Sequence, residues 1–282
     1  MQQVSKIKRL REQLADVRRS EKTIALVPTM GNLHDGHLSL VKQVQERADF
    51  VVVTIFVNPT QFVEGEDFDS YPRTVDADLK QLDLLNVDLV FTPDSNEIYP
   101  EANNVTTEVT VPELDAIYCG QFRPGHFKGV ATVVTKLFNI VQPDIAIFGK
   151  KDYQQLLVIH NLVKNLCLPI EIIGSETMRE EDGLAMSSRN QYLSESEREQ
   201  APLLYKILNE IALNIEKGAK NYEKLEKEAI FSLKQAGFRP EYLKICDSET
   251  LKSPIERELV IIAAAWLGKA RLIDNVAVQT YD

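Results

Sequence analysis

An apolar run, Thr-Ile-Ala-Leu-Val at residues 23–27, is followed after a ten-residue turn by an amphipathic run, Leu-Ser-Leu-Val-Lys-Gln-Val-Gln-Glu at 38–46. The first is strand-sized and the second spaces its apolar residues as a helix does. The chain must therefore reverse sharply between them. Gly31 and Gly36 stand in that turn, where glycine permits backbone angles and close approaches that a Cβ blocks. His34 and His37 lie where the helix is expected to begin, at about residue 37. A helix start presents unpaired N–H groups and partial positive charge, so it attracts phosphate, and imidazoles there can donate to the same anion. The turn matches neither G-x-x-x-x-G-K-[ST] nor G-x-G-x-x-G. What remains, His-Asp-Gly-His, is the expected nucleotide-phosphate site.

Residues 50–57 form a second continuous apolar, β-branched run, the pattern of a parallel strand buried on both faces. A strand–helix–strand unit of this size opens a parallel α/β fold, in which ligands collect at the carboxyl ends of strands. Further helices are expected over residues 4–19, 74–85, 130–141 and from after Asp152 to about 164. Strands are expected over 87–91, 144–148 and 169–173, with a half-exposed one over 101–111, where apolar and polar residues alternate. Past residue 175 the texture changes. Residues 176–190 are polar and turn-rich and read as a mobile loop. Ser194 and Glu197 suggest a capping box. Helices over 196–216 and 221–236 and strands over 242–246, 258–266 and 270–278 complete the chain. The expectation is an α/β protein with a Rossmann-like parallel sheet and helices on both faces over residues 1–175. A smaller C-terminal α+β domain over 176–282 carries the mobile loop as a lid.

No apolar run is long enough to span a membrane. The net charge of −10 counts against nucleic acid as a bulk partner, but leaves room for a small anion in a locally positive pocket. Three widely spaced cysteines give neither a disulfide framework nor a metal pattern, which suits the reducing cytoplasm. Four polar clusters fall at strand ends or in nearby loops: the first turn, residues 58–62, 149–152 and 186–190. The ends of parallel strands converge, so one site is expected to hold all four. Lys150 or Lys151, with Arg189, supplies the charge that polyphosphate needs, and Ser187 and Ser188 add neutral donors.

Six motifs in fixed order carry a resemblance. They are Pro-Thr-Met-Gly-Asn-Leu-His-Asp-Gly-His (28–37), Phe-Val-Asn-Pro-Thr-Gln-Phe (56–62), Tyr-Pro-Arg-Thr (71–74), Phe-Arg-Pro-Gly-His-Phe (122–127), Asp-Tyr-Gln-Gln (152–155) and Ala-Met-Ser-Ser-Arg-Asn (185–190). Over about residues 20–195 the chain resembles the pantothenate synthetases, or pantoate–β-alanine ligases. These are nucleotidyltransferases with HIGH and KMSKS-like signatures, whose parts His34–His37 and Met186–Arg189 would play here. The resemblance implies a two-step reaction. ATP and pantoate give pantoyl adenylate and pyrophosphate, and the amine of β-alanine then displaces AMP to give pantothenate. Aligning two repelling anions calls for positioning and charge stabilisation, not a covalent protein nucleophile.

Carried over by position, Met30, Gly31, Asn32, Leu33, His34, Asp35, Gly36 and His37 form the first ATP-binding segment, with His34 and His37 on the phosphates and His37 as proton donor. Gly149, Lys150, Lys151 and Asp152 form a second, in which Lys151 meets phosphate. Met178 is a further nucleotide contact, and Met186, Ser187, Ser188 and Arg189 cover the phosphates from the loop. Gln61 and Gln155 are expected on pantoate, because a carboxamide offers both a donor and an acceptor; Gln61 also reaches the β-alanine position, where Asn58 is a further candidate. Asp78 and Gln81 resemble positions that help hold Mg2+, or else form an exposed helix face. The family is usually homodimeric. Lys150, Met178 and Ala77 depart from the residues common at their positions. Arg123 and His126 have two readings, as orienting groups or as a structural turn.

Overall fold

Strands flanked by helices on both sides have no solvent face, so their side chains are apolar whichever way they point. In the computed structural model, which describes residues 1–100, 107–254 and 258–279, this holds for β2 (Ile24–Thr29) and β3 (Phe50–Ile55). Ala25, Val27, Val51 and Val53 share one core with Leu40, Val41 and Val44 of the helix between them. Leu26 and Val52, pointing the opposite way, are equally buried.

Contacts divide the chain into two compact units, Met1–Lys150 with Val158–Ser175, and Lys151–Leu157 with Glu176–Asp282. The first unit begins with β1 (Gln2–Val4) and α1 (Ile7–Arg19), then β2, α2 (Asp35–Gln45), β3, α3 (Val75–Leu84) and β4 (Leu89–Phe91). Three single-turn helices follow, α4 (Ser95–Ile98), α5 (Pro112–Asp115) and α6 (Cys119–Phe122), and then α7 (His126–Val141), β5 (Ile145–Gly149), α8 (Tyr153–Asn165), whose first residues belong to the other unit, and β6 (Glu171–Ser175). The six strands are parallel, in the order β1-β4-β3-β2-β5-β6. The chain moves outward from β2 through β3 and β4, then returns to lay β5 on the other side of β2. Loops leaving β2 and β5 therefore diverge, and the crevice between them is where such sheets take ligands.

The second unit holds α9 (Glu195–Gln200), α10 (Leu203–Glu216), α11 (Tyr222–Gln235) and an antiparallel sheet of β7 (Arg239–Asp247), β8 (Glu258–Leu267) and β9 (Ala270–Gln279). Leu204, Ile207, Leu208 and Ile211 of α10 share its core with Leu243, Ile245, Leu259 and Ile261. The fold class is thus the expected one: a Rossmann-like parallel sheet with helices, and a smaller α+β part.

Several local expectations are corrected. The helix expected over 4–19 starts at Ile7, and Val4 instead ends a short edge strand, Gln2–Val4, on β4, whose residues are polar or half-exposed and leave no apolar run to read. The single helix expected over 196–216 is two, because Pro202 cannot continue α9 and instead stands at the N-cap of α10. The strand expected over 101–111 falls partly outside the described residues. Residues 107–111 are not strand, and the Val109 N–H donates to Thr132 Oγ1 of α7 at 3.0 Å.

α7 approaches the loop after β3 very closely. A Cβ built on Gly129 lies 2.2 Å from the Thr60 carbonyl oxygen. Helix propensity alone favours alanine by about 1 kcal/mol, but this collision reverses the sign. Gly129→Ala is expected to lose about 1–3 kcal/mol of stability, measured by denaturant unfolding; a variant as stable as the parent would place that carbonyl elsewhere.

Candidate active site

β2 runs straight into the glycine–histidine turn. The Thr29 hydroxyl donates to the Thr54 carbonyl oxygen (2.7 Å) and accepts from the Gly31 N–H (3.2 Å). Gly31 has φ +81°, and a Cβ there would meet Asp78 Oδ2 and Ile55 Cγ2 at 3.0 Å each, so glycine is required. Leu33 is buried and anchors the turn in the core. The helix begins at Asp35, two residues earlier than expected, which makes His34 its N-cap. His34 Nδ1 accepts from the Gly36 N–H (3.2 Å), and His37 Nδ1 accepts from the His34 N–H (3.3 Å). This is a capping box built from two imidazoles, with ring centroids 4.1 Å apart. Because each Nδ1 accepts, the proton of each neutral ring is on Nε2. Both histidines are thus fixed as Nε2–H donors at a helix N-terminus.

Asp78 of α3 holds the turn from beneath. It is 1% exposed. Oδ2 accepts from the Asn32 N–H (3.0 Å) and Oδ1 from the Leu33 N–H (2.9 Å), while the Thr74 hydroxyl donates to both oxygens (3.2 Å each). A buried carboxylate with its oxygens so engaged does not fit a direct magnesium ligand. Among the described residues, no group of three or more His, Cys, Asp or Glu side chains is disposed to hold a metal ion.

The loop after β3 is equally tied down. Asn58 is buried, and its Oδ1 accepts from the Thr60 hydroxyl (3.0 Å) and the Tyr99 hydroxyl (2.9 Å). Its Nδ2 donates to Gln61 Oε1 (3.1 Å) and to the Gly129 carbonyl (3.2 Å), and Gln61 Nε2 contacts Met30 Sδ at 3.0 Å. Asn58 therefore orients Gln61, which is the half-buried group of the pair. Gly149 closes β5, next to β2 at the point where the strand order reverses, and Lys150 follows it.

Lys151, Asp152 and Gln155 belong to the second unit. The Lys151 carbonyl accepts from Asn275 Nδ2 (3.0 Å). Burial holds the Lys151 amine below its ordinary pKa; Asp152 and Asp274 oppose that shift, while Arg189 and Arg179 add to it. The stretch expected as a loop is a tight hairpin. The Met186 N–H donates to the Met178 carbonyl (3.0 Å), Glu180 N–H to Leu184 O (2.8 Å), and Gly183 turns the corner at φ +94°. Arg179 forks onto Asp274 (2.7 and 2.9 Å), which is 4% exposed, and its guanidinium lies 3.4 Å from the Tyr205 ring centroid. Ser187 Oγ then accepts from the Arg189 N–H (3.3 Å), capping a 3-10 turn, Ser188–Tyr192, against β9. The anchors Asp78, Tyr99, Arg179 and Asp274 carry no local sequence signal of these roles. Thr74 and Asp78, four apart, are the nearest to one.

A parallel sheet whose pivotal strand feeds a glycine turn and a helix capped by paired imidazole donors defines a phosphate-binding α/β enzyme. The sequence profile of the family described as Pantoate-beta-alanine ligase matches residues 2–277. The pantothenate synthetase of Marinobacter nauticus is 52% identical over 280 residues, covering 99% of each chain. The crystal structure of pantothenate synthetase from Thermus thermophilus superposes with a TM-score of 0.90 at 43% identity, over 98% of this chain and 99% of that one. That of the Francisella tularensis pantoate–β-alanine ligase, complexed with β-γ ATP and β-alanine, gives 0.80 at 35%, over 98% and 97%. The chain belongs to the pantoate–β-alanine ligase family. It is an ATP-dependent ligase that makes pantothenate from pantoate and β-alanine.

Asp78→Asn places an N–H donor against the turn's own N–H groups. It should cost about 1–3 kcal/mol of stability and raise the KM for ATP by about tenfold or more, with the magnesium concentration for half-maximal rate unchanged. Kinetics across a magnesium titration check this; an altered magnesium requirement with intact ATP affinity would assign the residue to the ion.

Proposed function

We propose that the reaction runs through pantoyl adenylate and that the two capped histidines are the central device of its first step. The pantoate carboxylate attacks the α-phosphorus of ATP, and the bond to the bridging oxygen breaks as pyrophosphate leaves. The β-alanine amine then attacks the acyl carbon, AMP leaves with the ester oxygen, and the nitrogen loses a proton. The observation that carries this reading is the reciprocal His34–His37 cap, which presents two Nε2–H donors and the N-terminus of α2 together. Charge that builds on phosphate oxygens in the transition state is stabilised by such preorganised donors. The donor role that the resemblance implies for His37 is, in a ring whose Nδ1 accepts, hydrogen-bond donation from Nε2–H to the departing pyrophosphate, with His34 beside it.

The remaining roles are proposed residue by residue. In the first unit, residues 30–37 with Gly149 and Lys150 cradle ATP, and Gln61 takes pantoate and borders the β-alanine position. In the second, Lys151, Ser187, Ser188 and Arg189 meet the phosphates, Asp152, Met178 and Met186 border the nucleotide, and Gln155 takes pantoate. The Francisella complex supports ATP and β-alanine as ligands of this chain as well. Magnesium would arrive on the ATP phosphates. Asp78 does not fit as its direct ligand and nothing in the geometry marks Gln81, so no step here runs through a protein-held ion. Family resemblance supports a homodimer, which a sedimentation measurement tests. A cytoplasmic setting is proposed from the cysteine usage of the sequence; among the described residues no disulfide joins Cys119, Cys167 and Cys246, and no helix is long and apolar enough to cross a membrane.

Isotope exchange between pyrophosphate and ATP should require pantoate but not β-alanine; exchange without an acid, or none with pantoate, rules out the adenylate. His37→Ala should slow this exchange about 10²-fold, and a folded variant at full rate removes His37 from the mechanism. A third outcome follows from Lys151. Its amine sits below the ordinary lysine pKa in the free protein, whereas a bound polyanion favours the charged form. ATP binding should therefore take up protons, increasingly as pH rises towards that depressed pKa. Calorimetry in buffers of different ionisation enthalpy measures the uptake, and Lys151→Met should abolish it.

A further inference from the structure

The second glycine–histidine pair opens α7. Gly125 has φ +82° and His126 is the first helical residue. The Arg123 guanidinium forks onto Glu66, Nε to Oε1 at 2.5 Å and Nη2 to Oε2 at 2.8 Å, with the two side chains 14% and 18% exposed. Its Nη1 lies 2.9 Å from His126 Nε2. A guanidinium cannot accept a hydrogen bond, so Nε2 is the acceptor and the neutral imidazole carries its proton on Nδ1. That nitrogen is 2.7 Å from the Gln61 carbonyl oxygen and donates to it. His126 is 6% exposed. One turn further on, the missing side chain of Gly129 lets α7 reach the Thr60 carbonyl. The start of α7 thus grips the backbone of residues 60 and 61, while Asn58 and Met30 hold the Gln61 carboxamide.

We propose that Glu66, Arg123 and His126 are positioning residues for the acid substrate: they form a relay that fixes the Gln61 main chain and, through it, the carboxamide that takes pantoate. This rests on the assignment of Gln61 to pantoate. The relay ends in a neutral donor. Arg123 sets the tautomer, Glu66 sets the plane of the guanidinium, and the imidazole delivers one hydrogen bond at a fixed angle. Loss of a single buried partner of this kind is worth about a tenfold change in an equilibrium.

Steady-state kinetics on His126→Ala, His126→Asn, Gln61→Ala and the double variant Gln61→Ala/His126→Ala test the relay. His126→Ala should raise the KM for pantoate about tenfold while moving the KM for ATP by less than about twofold. His126→Asn keeps an N–H near the Nδ1 position and should recover most of that loss. In the Gln61→Ala background His126→Ala should add nothing, since it acts through Gln61. Equal changes in both KM values, additive losses, or no recovery by asparagine overturn the relay. Gln61→Ala with an unchanged pantoate KM overturns the assignment beneath it instead. Should His126→Ala not fold, Arg123→Met, which frees the tautomer, is expected to raise the pantoate KM selectively, and an unchanged value counts against the relay.

Discussion

The Asn32 and Leu33 N–H groups stand in a turn that must be buried and must also leave the next helix start open. Unpaired, each would cost on the order of 1–3 kcal/mol. The Asp78 carboxylate takes both, from a helix 45 residues further along the chain, and the Thr74 hydroxyl braces it. Much of the first unit's chemistry depends on this arrangement. It fixes the turn at φ +81° for Gly31 and +52° for Asn32, which delivers His34 to the N-cap of α2. From there the imidazole cap follows, because a residue at the N-cap aims its side chain at the N–H groups of the first turn. The Asp78 charge is engaged by these two N–H groups and the Thr74 hydroxyl, so it supports the turn that carries the histidines.

How much of this was legible in the chain depended on whether the physical cause was local. Strands β2 and β3 are visible because burial on both faces leaves a continuous apolar run that little else produces. The spacing of Ser194 and Glu197 signals the α9 cap directly, since the partners are neighbours on one turn. Gln2–Val4 is hidden because an edge strand pairs through its backbone, which sequence does not record. Residues 196–216 read as one helix although Glu195–Gln200 carries no apolar residue; Pro202, acceptable where a helix starts, is the signal of the second start.

The site divides in the same way. His34, His37 and Lys151 stand out because few other residues suit phosphate at a strand end. Asp78 reads either as the magnesium position that the resemblance implies or as a solvated helix face, and its hold on the Asn32 and Leu33 N–H groups shows only in the fold. The resemblance makes Asn58 a further candidate at the β-alanine position. In the fold its amide is occupied by Thr60, Tyr99, Gln61 and Gly129, and it is the residue that aims Gln61. The loop at 176–190 reads from its polarity as mobile. What that polarity does not record is the pairing of Arg179 with Asp274, 95 residues away, across a hairpin within it.

The two glycine–histidine pairs make the limit of motif reading concrete. Gly36–His37 and Gly125–His126 look alike, and each falls at the start of a helix. What separates them is the partner of one ring nitrogen. His37 Nδ1 accepts a backbone N–H, so its donor is Nε2. His126 Nε2 faces a guanidinium that can only donate, so its donor is Nδ1, directed at a carbonyl inside the protein. The phosphate contact proposed for the first histidine uses Nε2, whereas the second donates from Nδ1 to the backbone of the loop that carries Gln61. Arg123 decides the second case, and it lies three residues before His126, within the same six-residue motif. The distinction is present in the sequence, but it becomes a statement about tautomers only when the distance from Nη1 to Nε2 is known.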